Sequence, residues 1–212
     1  MKRILLFTAV LTMMMTPAFA QSRSVDLTGW ISFIDPSGST DFEDGEIAEV
    51  DSEQGYGLGI NVFWSSRIST EFAAYAVEPD LNLRTTDPTL PSGAIGSLEM
   101  MPLTGTLQFH FNPDGRFDPY IGAGVAYVLF DSIEGESIED IGFDSIDFDD
   151  DYGFLANEGV SIDITPTFAI NLDAKYVPVS ASARAVIDGI ETDPADFDIN
   201  PLILSAGVSI QF

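Results

Sequence analysis

The fold is decided by residues 120–129, which read Tyr120-Ile121-Gly122-Ala123-Gly124-Val125-Ala126-Tyr127-Val128-Leu129. The odd-numbered residues form one row of apolar side chains, and the even-numbered residues form a second row that contains both glycines. A period of two places successive side chains on opposite faces of a β-strand. The length of the stretch also matches the ~9–11 residues of a tilted strand that crosses a membrane.

Seven further segments show the same alternation, which is weaker in 25–34 and in 152–164. They are 25–34, 56–64, 68–77, 103–111, 152–164, 168–176 and 202–212. In the clearest of them one row is apolar, and the opposite row is small, polar or rich in glycine. We therefore predict an all-β fold, an eight-stranded antiparallel transmembrane β-barrel.

The connections between these segments alternate between long and short. The long ones are roughly 35–54, 79–97, 131–150 and 180–199, and the short ones are 65–66, 112–115 and 165–166. Such alternation is typical of outer-membrane barrels, in which long loops are extracellular and short turns are periplasmic. It predicts that both termini are periplasmic.

The first twenty residues have the pattern of a signal peptide. Lys2 and Arg3 precede an apolar run from Ile4 to Met15, and residues 16–20 end in a small-x-small cleavage pattern. The apolar run is shorter than the ~20 residues of a membrane-spanning helix. We predict a signal peptide over 1–20 and one barrel domain over 21–212, exported without cysteine and hence without disulfides.

The charge of the chain is strongly negative. Loss of Lys2 and Arg3 changes the formal net charge from −26 to −28, which excludes nucleic acid as a partner. Yet 45% of the residues are hydrophobic. The two facts agree if the acids are segregated into solvated loops, and most of them lie in 41–53, 131–151 and 188–198.

A soluble eight-stranded barrel of the lipocalin kind is the alternative fold, and it would carry its apolar residues inside. Two observations favour the membrane instead. The polar rows are sparse and glycine-rich, as a narrow lumen requires. Aromatic residues also lie near strand ends, where they would form girdles at the membrane interfaces. These aromatic residues are Trp64, Phe111, Tyr127, Tyr176 and Phe212.

If the apolar rows face lipid, the opposite rows line the barrel interior. The predicted lumen-lining residues are Glu71, Thr104, Thr106, Gln108, His110, Tyr120, Asn157, Asn171, Asp173 and Lys175. We expect Lys175 to neutralise Glu71 and Asp173, because unpaired interior charge is costly. The inward glycines would leave room in the lumen; they are Gly57, Gly59, Gly122, Gly124 and Gly207.

Catalysis and metal binding are weakly indicated. His110 and Glu71 could act as an acid–base pair, but no serine or aspartate is predicted beside them to complete a nucleophilic site. The acidic run 144–151 could attract Ca²⁺, but it lacks the spacing of a calcium-binding loop. We therefore predict no enzyme activity, no metal site and no cofactor.

With these residues assigned, the chain resembles the OmpW/AlkL family of small outer-membrane proteins. The resemblance is closest in residues 101–111 and in 116–127, where Pro119-Tyr120-Ile121-Gly122-Ala123-Gly124 stands. It continues in 157–160 and 171–176 and ends at the terminal Phe212. It covers nearly all of 21–212 and is weakest in the loops.

The resemblance implies a passive channel in the Gram-negative outer membrane for small hydrophobic or amphipathic molecules, which leave sideways through the wall. It implies contact with lipid and lipopolysaccharide, and recognition of Phe212 by the barrel-assembly machinery. The alternative function is a structural or adhesive barrel that acts through its acidic loops.

Glu158 departs from the pattern, because it falls on the lipid-facing row of its strand. Two explanations are open: the residue lies near an interface, or the predicted register of that strand is wrong.

Overall fold

The structure of the chain is a computed structural model. It describes residues 24–36, 39–41, 47–84, 93–131, 144–187, 190–192 and 194–212. The predicted signal peptide over 1–20 lies outside the described residues and stays a prediction. Among the described residues there is no helix that is long and apolar enough to cross a membrane.

Eight long strands form a closed antiparallel barrel, which confirms the predicted fold. They are β1 (Val25–Pro36), β4 (Glu53–Ser65), β5 (Ile68–Ala76), β8 (Met100–His110), β9 (Phe117–Phe130), β11 (Asp151–Asp163), β12 (Phe168–Tyr176) and β16 (Pro201–Gln211). Around the barrel the order is β1-β16-β12-β11-β9-β8-β5-β4. The first strand closes the ring because it pairs with both β16 and β4.

The remaining strands lie in the long connections, and all of them except β13 have five residues or fewer. They are β2 (Ser39–Asp41), β3 (Ile47–Val50), β6 (Asp80–Arg84), β7 (Gly93–Ser97), β10 (Ser145–Phe148), β13 (Val179–Ile187), β14 (Ile190–Glu191) and β15 (Ala195–Ile199). They form two small sheets, β2-β3-β6-β7 and one in which β13 pairs with β10, β14 and β15. These stretches were predicted to be loops. Their pairing joins different connections, and all except β13 are too short to show a long alternation.

The two ends of the barrel differ in their connections. The end with the long connections is called the loop end, and the end with residues 66–67, 111–116 and 164–167 is called the turn end. At the turn end, side-chain oxygens of Ser65 and Thr165 accept backbone hydrogen bonds. The C-terminal residue lies there too: Ser24 donates its backbone N–H to the carbonyl of Phe212 at 2.7 Å.

The burial pattern is that of a membrane barrel rather than a soluble one. Large apolar side chains on the outer wall are exposed, including Ile31 at 57%, Leu107 at 58% and Val208 at 57%. Charged Glu71 and Lys175 are buried inside. The apolar rows therefore face outward, as the alternation predicted, and the lipocalin alternative is wrong.

The glycine-rich row of β9 allows a close approach to β8. A Cβ added at Gly124 would overlap the carbonyl oxygen of Gly105 and lie 2.8 Å from the Cα of Thr106. Side chains are rarely accommodated at such separations unless the backbone shifts. Outward-facing Gly29 has no heavy atom within 4 Å of the same added Cβ.

We expect Gly124→Ala to lower the free energy of unfolding of the barrel by about 1–3 kcal/mol, because β8 and β9 must separate. The matched control Gly29→Ala should change it by less than about 0.5 kcal/mol. Urea unfolding of the full chain in detergent micelles, followed by tyrosine and tryptophan fluorescence, measures both. Equal stability of the two variants would contradict the close packing of β8 on β9.

Candidate functional site

The interior of the barrel is divided into two zones. Polar and charged side chains fill the half near the turn end, and apolar side chains fill the half near the loop end. All ten residues predicted to line the lumen point inward and are buried.

The centre of the polar zone is Lys175, the only lysine in the described part of the chain. Its ammonium nitrogen lies 2.8 Å from Glu71 Oε1 and 2.5 Å from Asp173 Oδ1. It also donates a hydrogen bond to the hydroxyl of Tyr75 at 3.1 Å, and it stands 5.6 Å from the centroid of the Trp30 ring. The two carboxylates outnumber the ammonium, so donors from other strands are needed to balance the cluster.

Amide and hydroxyl groups supply these donors and connect the strands. Tyr120 Oη and Asn157 Nδ2 both donate to Asp173 Oδ2 at 2.8 Å. Gln108 donates to Asn157 Oδ1 at 3.0 Å and accepts from Asn61 at 2.9 Å. One network thus joins β4, β8, β9, β11 and β12 across the interior.

Three of the ten predicted residues stand outside this network. Asn171 donates to the hydroxyl of Ser209 at 3.0 Å. The hydroxyls of Thr104 and Thr106 are buried and make no side-chain hydrogen bond within the described part of the chain. Asn61 and Tyr75 were not among the predicted lumen-lining residues, although each shares an inward row with predicted neighbours on its strand.

The expectation that inward glycines leave room in the lumen is wrong at all five positions: Cβ atoms at Gly122 and Gly124 would meet β8, and aromatic rings cover the other three glycines. A Cβ at Gly57 would lie 2.6 Å from Tyr75, and Cβ atoms at Gly59 and Gly207 would lie 2.9 Å and 2.5 Å from Trp30. Aromatic rings therefore occupy the space above these glycines. At Gly59 and Gly207 the ring is that of Trp30, an apolar residue on the inward row of β1 that the alternation did not single out.

The space left in the polar zone is small. A cavity bounded by Trp30, Asn61, Glu71, Gln108 and His110, among others, has a volume of about 10 Å³. That is close to the least volume that holds one water molecule. The polar zone is therefore a plug across the turn half of the barrel.

The apolar zone above the plug was not predicted. It consists of buried side chains at the loop-end termini of most strands, together with residues of the adjoining connections. They include Ile34, Val77, Leu98, Met100, Val128, Phe130, Leu155, Val177, Val179, Ile199 and Ile203. In the sequence, the inward row of these strands changes from polar to apolar near the loop end. Both rows are then apolar, so the alternation no longer distinguishes the inward face.

His110 has partners that sequence analysis did not expect. Its Nδ1 lies 2.8 Å from Asp118 Oδ2, and its Nε2 lies 3.0 Å from the hydroxyl of Ser69. The expectation that no serine or aspartate stands beside this histidine is therefore wrong. Asp118 was missed because the predicted strand began at Tyr120, whereas β9 begins at Phe117.

The order Ser69–His110–Asp118 has the connectivity of a hydrolase triad, but its surroundings differ from those of an active site. All three residues are buried, and the cavity beside His110 is too small for any substrate. The hydroxyl of Ser69 also lies 3.3 Å from Gln108 Oε1. This bond extends the plug network to the turn end.

Two other predicted features lie outside the interior. Glu158 is exposed on the outer wall and pairs in register with Ala174 and Ile121, so the predicted register was right. In the acidic run, Asp150 accepts hydrogen bonds from the Tyr127 hydroxyl and the backbone of Phe130. Among the described residues, no three acidic or histidine side chains are grouped to hold a metal ion.

An ion pair joins the acidic run to β13, the strand with which β10 pairs. Arg184 of β13 lies 2.7 Å from Asp149 Oδ2. Its hydrogen bond lowers the pKa of the Asp149 carboxyl below the ordinary value. Both groups are solvated, so the pair contributes little to stability.

Comparison with known proteins agrees with this architecture. A family model described as the OmpW family matches residues 21–212. Outer membrane protein W of Vibrio cholerae is 27% identical over 167 residues, which cover 77% of this chain and 76% of that protein. Outer membrane protein AlkL of Ectopseudomonas oleovorans is 26% identical over 121 residues, or 57% of this chain. The matched segments span half the length of two curated relatives, AlkL among them.

The fold is also that of a solved outer-membrane barrel. The crystal structure of OprG from Pseudomonas aeruginosa superposes with a TM-score of 0.79 and covers 90% of this chain and 96% of OprG. The sequences are 20% identical, so the likeness supports the fold alone.

We expect Lys175→Met to lower the free energy of unfolding by about 3–5 kcal/mol, since it leaves two buried carboxylates without their cation. The triple variant Lys175→Met, Glu71→Gln, Asp173→Asn should recover most of the loss. Urea unfolding in micelles measures all three proteins. If Lys175→Met were as stable as the original chain, the ion cluster would not hold the plug together.

We expect a fluorophosphonate probe to label the folded chain no more than the Ser69→Ala variant, because Ser69 has no space beside it for the reagent. Mass spectrometry of the labelled peptide measures this. Stoichiometric modification of Ser69 would contradict the structural role of the serine and histidine.

Proposed function

Because this chain belongs to the OmpW family of outer-membrane β-barrel proteins, we propose that it is a passive channel for small hydrophobic or amphipathic molecules. The observation that carries the proposal is the apolar zone at the loop end. The side chains of Val128, Met100 and their neighbours contact one another in this zone. An apolar solute that entered would replace some of these contacts with apolar contacts of its own. Such an exchange needs no desolvation of polar groups.

The proposed orientation follows the pattern of outer-membrane barrels. Long connections face the outside of the cell, and the turn end with both termini faces the periplasm. In this orientation the acidic loops contact lipopolysaccharide. Phe212 is 63% exposed at the turn end, where the barrel-assembly machinery can bind it. The predicted cleavage after residue 20 belongs to the same proposal.

The plug argues for a sideways exit. A solute that reached Lys175 would meet charged and hydrogen-bonded groups with about 10 Å³ of space beside them. Leaving through the wall into lipid avoids disrupting that network. In this proposal the ten predicted interior residues limit passage from below, and the Ser69–His110–Asp118 chain has no catalytic role.

The small cavity also favours a second candidate function, a barrel that transports nothing and acts through its loops. The acidic connections carry two β-sheets beyond the barrel, which could present a defined surface to a partner. Shortening residues 132–143 separates the two functions. A channel should keep its uptake rate, whereas an adhesive or structural barrel should lose its cell-surface phenotype.

We expect cells that carry the chain to take up an alkylbenzene faster than a deletion strain. Met100→Gln should lower the initial rate by roughly fivefold or more, because a buried amide without a partner costs about 1–3 kcal/mol. The adjacent control is Met101→Gln, whose side chain faces the outer wall and not the apolar zone, so uptake should be unchanged.

Uptake equal to that of the deletion strain would overturn the channel. An equal effect of the two methionine variants would overturn the assigned route. The amount of folded barrel in the outer membrane is measured for each variant by the shift of unheated samples on gels.

A further inference from the structure

Glu158 occupies a position that a lipid-facing wall does not normally give to a carboxylate. It is the eighth of the thirteen residues of β11, so it lies near mid-height of the wall rather than at an interface. Its outward neighbours in register are Ala174 and Ile121. An ionisable residue at this depth is costly and, where present, is expected to have a partner.

The chain itself offers no such partner among the described residues. Glu158 makes no side-chain hydrogen bond or ion pair there, and Lys175 is enclosed inside the barrel. The other described basic residues belong to the turns or to the loop-end sheets. They are Arg67, Arg116, Arg84 and Arg184.

A groove in the outer wall surrounds the carboxylate. One row of paired residues crosses it from strand to strand, namely Phe33, Leu204, Ala174, Glu158 and Ile121. The groove has a volume of about 770 Å³. Ala174 and Ala206 contribute its depth, because each presents only a methyl group between larger neighbours. A volume in the range ~300–1,000 Å³ is typical of sites for small molecules.

We propose that this groove binds a cationic amphiphile, a molecule with one protonated amine on an apolar chain or ring. The amine pairs with Glu158, and the apolar part lies along Leu204, Phe33 and Ile121. Two properties of the site select this class. The lining is mostly apolar, so the ligand body must be apolar. Of its two acidic residues, Asp173 is paired with Lys175 inside the barrel, and outward Glu158 has no partner among the described residues. The site is on the outer wall, so it does not depend on passage through the barrel.

A second copy of the chain fits the groove less well. The wall of another barrel presents apolar side chains and another Glu158, while its described cations remain inside or at the two ends. Contact between two such walls would therefore bring no positive charge to the carboxylate. Charge complementarity favours the amphiphile.

The test uses the full chain in bilayer discs of phosphatidylcholine, with ¹³C-labelled isoleucine and leucine methyl groups. Dodecylamine, 1-dodecanol and dodecanoate are titrated at neutral pH. We expect saturable shifts at the methyls of Ile121 and Leu204 with the amine, with an affinity at least about tenfold above that for the alcohol. Glu158→Gln should reduce the amine to the level of the alcohol.

Two further variants keep the result interpretable. Glu99→Gln removes an exposed carboxylate outside the barrel wall and should leave amine binding unchanged. Glu158→Leu suits a lipid-facing position, so it is expected to fold and should bind amine and alcohol alike. Binding of the amine that survives both Glu158 variants, or saturable shifts away from the groove, would overturn the proposal.

Two other outcomes would also overturn it: no saturable shift with the original chain, or a dimer that Glu158→Gln abolishes in the absence of amine. Failure of the uptake experiment described for Met100 would leave this binding result unaffected, so the two proposals can fail separately.

Discussion

The structure depends on closure of the sheet, in which β1 pairs with β16 on one side and with β4 on the other. A sheet in lipid cannot leave an edge, because unpaired backbone groups have no water to bind. Closure satisfies them and creates an inside and an outside for every strand. Because side chains alternate along each strand, apolar rows cover the outer wall, and charged groups such as Glu71, Asp173 and Lys175 are enclosed.

The enclosed interior is divided into two zones, because the inward rows are polar toward the turn end and apolar toward the loop end. In the turn half, Lys175 holds two carboxylates, and amides such as Asn157 and Gln108 extend the hydrogen bonds from strand to strand. Aromatic rings stand over inward glycines and fill the remaining space. In the loop half the inward rows are apolar, so the barrel presents a hydrophobic interior above a polar plug. This division, rather than an open pore, is the feature that a function of the barrel must use.

Much of the fold could be predicted from the sequence, because period-2 alternation and connection lengths are local properties. The eight barrel strands were found with boundaries within a few residues, and the outward position of Glu158 followed from its parity. Parity also placed the ten interior residues on the right side of the wall. It could not show that Trp30 fills the space over Gly59 and Gly207, since that contact joins three strands.

The sequence by itself determined which residues face lipid and which face the interior, because a β-strand alternates its side chains whatever its partners are. Tertiary structure decided how those side chains meet. Register brought Ser69 and Asp118 to His110, and it placed Glu158 in a groove beside Ala174. It also joined separate connections into sheets at the loop end. Such contacts depend on strands that are far apart in the chain, so they arise only when the barrel closes.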